Sequence, residues 1–533
     1  FDMGPSWYWM PQAYENIFSN LYNNEALESK YIENEGFYIV DTLNDLVWST
    51  PSFFPFMVAV LLSFGIFITL RLGFVQIRYF KHGILTVMGK FDHPDAIGDV
   101  NHFQALTTAL SATVGIGNIA GVAIAIHSGG PGALFWMWVT AFFGTTLKYA
   151  ECTLSVKYRD INSQGFTAGG PMYTIENGMG KKWHWLAVAF ACFAIICSFA
   201  TGNAIQSFTL SDQLYSEVSQ FVGTNHFLTI KHQITDWYSV SVQQIINGLF
   251  IAGIAALVII GGIKRIGSVT SYLAPFMATV YVISAILILL ANITDVPASF
   301  GKIISMAFNP PAAVGGVAGG TLIVFMNTLL WGVKRGLYSN EAGQGSAPIA
   351  HSTAKTEYPV REGVVALLEP FIDTIIICTL TGLTIISTGA WQHTEFYVSR
   401  IDPSFSGEIL NGSLLTSFAF KEGLSWLMPF GDKIITIGVL LFAISTVISW
   451  SFYGDRSTEY LFGEKAIPVY RVFYITFVFI GAIATLEAMW AFGDAALGFM
   501  TFPNLISIIM LSGVLKKMTN EYFSIEHKVY KNN

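Results

Sequence analysis

The stretch 112-ATVGIGNIAGV-122, Ala112 to Val122, lies inside an otherwise apolar run from Phe103 to Ile126. A bilayer crossing takes roughly 20 apolar residues of helix, and this run is long enough. Yet it holds three glycines, a threonine and an asparagine. Backbone groups left without partners at membrane depth cost on the order of several kcal/mol each, so a weakened helix there needs a reason.

The 533 residues are 53% hydrophobic and 12% charged, with a mean hydropathy of +0.53. A soluble domain carries roughly 25% charged residues, so this composition is that of an integral membrane protein. A net charge of -7 offers no basic face for nucleic acid, and the aromatics fit lipid contact and interfacial belts. Cys152, Cys192, Cys197 and Cys378 all fall in apolar runs without a repeated metal-ligand spacing and read as small buried hydrophobes. No zinc-ligand helix motif, nucleophile elbow or phosphate-binding glycine loop is present, which sets an enzyme aside.

Demanding roughly 17 to 25 apolar residues per span predicts eleven transmembrane helices and an all-α fold. They run from 55–72, 103–126, 132–156, 185–210, 244–261, 266–290, 315–333, 364–388, 434–452, 468–489 and 491–515. An odd number places the termini on opposite sides. With the N-terminus outside, most of the 28 basic residues fall in cytoplasmic segments, as in a bacterial-type inner membrane protein. The first 53 residues agree, holding eight Asp or Glu against the single Lys30. The expected organisation is an external extension (1–53), a leading helix and cytoplasmic connector (54–102), a five-helix unit (103–292), an external loop (293–314), a second five-helix unit (315–517) and a cytoplasmic tail (518–533). Within the external segment before the ninth span, LLTSFAFKEGLSWL predicts a helix that lies on the membrane or caps a vestibule, or an ordinary loop helix.

Setting the first span aside leaves two sets of five with opposite topology. The first set opens on TVGIGN and the second on GGVAGGTLIVF, Gly315 to Phe325. Glycine-interrupted segments at corresponding positions of two inverted halves point to a transporter binding site near the bilayer midplane. Unwinding frees N–H groups that suit a carboxylate and C=O groups that suit a hard cation. Close helix packing through small residues is the alternative use of such glycines.

Longer motifs now accumulate: GGPGALFWMWVTAFFG (Gly129 to Gly144), TVGIGNIAGV, GGPMYTIENG from Gly169, GVKRGLYSNEAGQGSAPIAHS (Gly332 to Ser352) and LEPFIDT (Leu368 to Thr374). Together they resemble the sodium:alanine (alanine or glycine:cation) symporter family over about Pro55 to Lys517. The resemblance implies a leucine-transporter-like fold, one leading helix before two inverted five-helix repeats, and sodium-driven uptake of a small neutral amino acid. Ala112, Tyr338 and Gln344 depart from that pattern, as does the N-terminal extension.

Carried onto TVGIGN, the resemblance implies that the N–H groups of Ile116 and Gly117 hold a substrate carboxylate, with Gly115 and Gly117 bare to permit approach. It implies that the Thr113 carbonyl faces the ammonium, and that carbonyls of Ala112 and Val114 face Na+ together with the Ser445 and Thr446 hydroxyls. Asn118 braces the turn or binds ion or substrate. Trp450, one helical turn beyond Thr446, caps the side-chain end of the pocket, and the backbone of Gly316, Gly319 and Gly320 completes it. Ionisable residues within spans include Glu369 and Asp373 on one helix face, and Lys148 and Glu151, three apart and able to pair with each other. The segment KRGLYSNEAGQGSAP reads as a cytoplasmic loop in which Arg335 and Glu341 pair as an inner gate, or as a rigid turn with solvated charges. Two other functions remain open on the sequence: proton-coupled amino acid symport through Glu369 or Asp373, and an amino acid receptor or channel without coupled transport. The preferred amino acid and the oligomeric state are left open.

Overall fold

The structure is a computed structural model that describes residues 42, 46–48, 55–93, 95–163, 165–235, 238–310, 321–393, 412–484, 486–527 and 529. Apolar runs become helices almost throughout, including two that hold an interior proline, Pro275 and Pro503. Helix α1 (Phe56–Arg71) leads to α2 (Phe80–Val87) and to α3 (His102–Thr113). A capping box starts α3, in which the Asn101 side chain accepts from the Gln104 amide while the Gln104 side chain accepts from the Asn101 amide. After the interruption come α4 (Gly117–Gly129), α5 (Ala133–Lys157), α6 (Lys181–Val222), α7 (Val242–Ile259), α8 (Gly262–Ala291) and α9 (Val296–Phe308). The second half of the chain forms α10 (Thr321–Asn340), α11 (Ala347–His351), α12 (Pro359–Ser387), α13 (Ser413–Leu424), α14 (Gly431–Phe462), α15 (Ile467–Ile483), α16 (Leu486–Met510) and α17 (Ser512–Ser524). Two short antiparallel hairpins, β1 (Asp160–Ile161) with β2 (Thr167–Ala168) and β3 (Lys231–Thr235) with β4 (Tyr238–Ser241), close loops at the ends of the bundle.

The described parts of the expected spans are largely helical, although 315–320 lies outside the described residues and the spans 468–489 and 491–515 each cross a boundary between two helices. Among the described residues seven helices are long and apolar enough to cross a membrane, and α3 with α4 makes an eighth crossing bent by 53°. The 16-residue α1 is short, and α5 carries Lys148, Glu151 and Lys157, so neither passes by length and hydropathy alone.

Helix α14 is buried along most of its length against α3, α6, α8 and α13, while α5 packs on α1, α10 and α12. Small residues set these distances, as expected where lipid supplies no hydrophobic drive between helices. A side chain at Gly332 of α10 would begin 2.3 Å from the Ala133 carbonyl of α5, so this crossing admits only glycine. The predicted external helix exists as α13 and is packed onto the bundle, where the Thr416 hydroxyl donates to the Ile119 carbonyl at 3.0 Å. Three cysteines are buried as expected, but Cys192 is exposed. Most of the N-terminal extension, and Gly316, Gly319 and Gly320, lie outside the described residues.

Candidate functional site

Thr113 ends α3 and its hydroxyl turns back to the Ala109 and Leu110 carbonyls. Val114 and Gly115 are non-helical, and a π-helical turn over Gly117–Gly121 resumes the crossing. Ile116 and Gly117 stand at the start of the second segment, where helix geometry leaves N–H groups without an intrahelical acceptor. Asn118 braces the break: its Oδ1 accepts from the Gly115 amide at 3.0 Å. Its Nδ2 donates to Asp373 Oδ1 at 2.6 Å and to Ser339 Oγ at 3.1 Å.

The expected second interruption, at Gly315 to Gly320, lies outside the described residues, and the chain carries a further interruption beyond it. Helix α10 runs unbroken through KRGLYSN to Asn340, and the chain unwinds at 341-EAGQGS-346, entirely buried. Glu341 there has a φ of 51° and Gly343 and Gly345 have 78° and 87°, left-handed values that are uncommon for a residue with a side chain. The segment read as a cytoplasmic loop is thus the partner of TVGIGN, and the two breaks meet. A side chain at Gly117 would lie 3.3 Å from Tyr338 and 3.5 Å from the Ser339 Cα. Asp373 bridges them, accepting from Asn118 on one oxygen and from Ser339 and Thr374, each at 2.7 Å, on the other.

The expected gate pair does not form. Arg335 Nη2 reaches Asp494 Oδ2 of α16 at 3.3 Å, Lys334 reaches the same oxygen at 3.1 Å, and Glu341 accepts from Ser346 at 2.5 Å. Asp494 neutralises the two cations inside the bundle, which is how α10 continues past a charge pair that ends the apolar run. The Arg335 guanidinium also lies 5.4 Å from the Tyr338 ring centroid, over the ring that covers the Gly117 turn. Lys148 and Glu151 do not pair with each other either. Lys148 bonds Glu369 of α12 at 2.8 Å, whereas Glu151 accepts from Asn504 and from the Gly343 and Gly345 amides, fastening the second break to α5 and α16.

Ser445 and Thr446 of α14 face α3 as expected, and the carbonyl they reach is that of Ser111, at 3.3 and 3.1 Å. The expected residue was Ala112. Neither hydroxyl is bonded to the Ala112 carbonyl. Thr446 Oγ1 is also 2.8 Å from where a side chain on Gly115 would begin, with Gln206 Oε1 at 3.5 Å. Gln206, on α6, was not singled out from the sequence. Its Oε1, the Ser111 hydroxyl and Trp450 Nε1 are buried with no hydrogen-bond partner among the described residues. Trp450 is fully buried and lies against Gly202, in a π-helical turn of α6 over Ala200–Ala204 that has room for no side chain at that point. Three of the π-helical segments, Gly117–Gly121, Ala200–Ala204 and Phe371–Cys378, thus supply residues around the breaks, and such segments frequently mark functional sites.

With this geometry in place, the family model described as the sodium:alanine symporter family matches residues 34–533. The chain belongs to that family. It is 41% identical over 499 residues to the sodium/alanine symporter AgcS of Methanococcus maripaludis, covering 93% of this chain and 99% of that protein. It is 33% identical over 489 residues to the probable sodium/glutamine symporter GlnT of Bacillus subtilis, covering 91% and 90%. A solved structure of MhsT in complex with L-phenylalanine superposes with a TM-score of 0.51 at 12% identity, covering 80% of this chain and 99% of that one. That likeness shows a leucine-transporter-like fold. The protein is a multi-pass membrane protein of a transporter family, not an enzyme, and several of its relatives are named as amino acid symporters or carriers.

Proposed function

We propose that this chain is a sodium-coupled symporter of a small neutral amino acid, alanine or glycine, working by alternating access, with its N-terminus outside and its C-terminus in the cytoplasm. The observation that carries the reading is the meeting of two interrupted crossings at Asn118 and Ser339. Its ten core helices form two inverted repeats of five behind α1. Na+ sits between the carbonyls of Ser111 and Val114 and the hydroxyls of Ser445 and Thr446, an all-oxygen set suited to a hard cation. The substrate carboxylate meets the N–H groups of Ile116 and Gly117, its ammonium the Thr113 carbonyl and Gln206, and its side chain the Trp450 wall. Bare Gly115 and Gly117 leave the backbone approachable, and the large indole limits the room to a small side chain. Arg335 and Asp494 close the site behind Tyr338 on the outer side.

A titration of Na+ at fixed labelled alanine, followed by displacement with a panel of neutral amino acids on purified protein, tests this. Alanine and glycine displace best and binding requires Na+; binding that is equal in K+ defeats the reading.

Proton coupling has one observation in its favour, and it selects Asp373 over Glu369. Glu369 is neutralised by Lys148, whereas Asp373 is fully buried and bonded directly to the first break. Uptake driven by a pH jump at zero sodium supports that route over sodium.

A further inference from the structure

Arg335 and Asp494 join α10 to α16 beside Tyr338, and two residues of the N-terminal extension bear on that junction. Val47 and Trp48 are 4% and 6% exposed. The Trp48 indole donates from Nε1 to the main-chain carbonyl of Asp494 at 2.7 Å. The Lys334 ammonium lies 5.8 Å from the centroid of the same indole and reaches the Asp494 carboxylate at 3.1 Å. Val47 occupies the face that Gly498, one turn farther along α16, leaves bare: a side chain there would begin 2.1 Å from Val47 Cγ1.

A tryptophan near a bilayer surface is ordinarily an interfacial anchor, one end in lipid and its N–H turned to water. Trp48 differs, because it is enclosed and its single donor points into the bundle. So placed, the indole touches both sides of the junction, its N–H on the backbone of α16 and its ring against a cation of α10. One residue before Asp494, the Gly493 carbonyl accepts from the Thr201 hydroxyl of α6 at 3.1 Å. This turn of α16 is therefore tied to two neighbours, and the Asp494 carboxylate is held where Lys334 and Arg335 both reach it. Arg335 lies in turn over Tyr338, the ring that covers the Gly117 turn. A cavity of about 210 Å3 beside the indole, bordered by Val58 of α1 and by Trp331 and Lys334 of α10, gives it room to swing away.

We propose that Trp48 is a positioning residue of the outer gate: it staples α10 to α16 by fixing Asp494 between the two cations, and the site opens outward only when the indole releases the Asp494 carbonyl. The end of the N-terminal extension is thereby a working part of the gate. The proposal rests on the sodium-coupled transport reading for what passes the gate.

Cys378 is a built-in reporter of opening. Its Sγ lies 3.3 Å from both Asn118 Nδ2 and Ser339 Oγ, at the meeting of the two breaks. In cells expressing the chain with Cys152, Cys192 and Cys197 replaced by alanine, a membrane-impermeant maleimide added outside labels Cys378 slowly. Trp48→Phe keeps an aromatic ring for Lys334 and removes the donor, and labelling accelerates by about two- to tenfold, the range for loss of one hydrogen bond. A labelling rate that stays the same or falls overturns the proposal. Alanine uptake gives a second readout that a fold defect does not imitate. A looser outer gate favours the outward-open form and hinders closure, so KM for external alanine and kcat fall together in Trp48→Phe; a KM that stays or rises counts against the staple. Asp494→Asn also speeds labelling, and adding Trp48→Phe to it brings little further increase, since Trp48 acts through Asp494; additive effects refute that route. Labelling needs no transport. Loss of sodium-driven uptake in the unaltered protein, with the labelling shift intact, refutes the transport reading alone, whereas normal uptake with unmoved labelling refutes the staple alone.

Discussion

Replacing Thr446 with valine removes one hydroxyl from the proposed sodium corner and leaves the shape of the side chain. Thr446 Oγ1 lies 3.1 Å from the Ser111 carbonyl, and both residues are buried, so water cannot substitute freely for the lost oxygen. A hydrogen bond or ligand contact to a charged group is worth about 1.5–3 kcal/mol, which converts to a loss of roughly 10- to 150-fold in sodium affinity. Ser445 stays in place at 3.3 Å from the same carbonyl, so the lower end of that range is expected. The assay is alanine uptake into proteoliposomes as a function of sodium concentration, with alanine saturation measured separately at the highest sodium. Half-saturation for sodium rises by at least about tenfold while the alanine half-saturation at high sodium changes little. An unchanged sodium curve, or a defect confined to alanine affinity, refutes the placing of sodium between α3 and α14.

Three further outcomes follow from single contacts. Gly202→Ala places a methyl 2.2 Å from the Trp450 ring, both fully enclosed, and overpacking of this kind costs about 1–3 kcal/mol; alanine affinity falls in uptake assays, whereas a lowered melting temperature with intact affinity removes Trp450 from the pocket wall. Asn118→Ala strips the Gly115 amide and Asp373 of a partner, at about 1–3 kcal/mol for each buried group left unmade; purified protein melts earlier and loses sodium-dependent alanine binding. His82, beside α17 in the connector after α1, has its pKa lowered to about 4 by burial and then by His527, Arg361 and Lys90. Its folded value lies below the unfolded one, so it contributes stability that is present above pH 6.5 and lost as pH falls toward 4. His82→Phe flattens the melting temperature over that interval.

Much of the first break was legible because the residues that weaken a helix are themselves the signal. Gly115, Gly117 and Asn118 interrupt an apolar run, and in the structure Asn118 closes the turn they open. Ser445 and Thr446 were singled out by the resemblance to the family's fold, and Trp450 by its place one helical turn beyond Thr446. The break at 341–346 was not expected, because glycine density draws the reading to GGVAGG, which lies outside the described residues, and because the basic pair Lys334 and Arg335 looks like the end of a crossing. Their neutralisation by Asp494, far along the chain, leaves no local trace. The same holds for Lys148 with Glu369: sequence spacing offers Glu151 as a partner, and only packing of α5 on α12 decides otherwise. Gln206 lies in an apolar stretch of α6 with no periodic partner, and its role follows from a neighbour on another helix.

The most direct test of the central claim is labelled alanine uptake into proteoliposomes of purified protein under an imposed sodium gradient. Accumulation above the external concentration under inward sodium, collapsing to equilibration when potassium replaces sodium on both sides, is the predicted result. Equal accumulation in the two conditions contradicts the account.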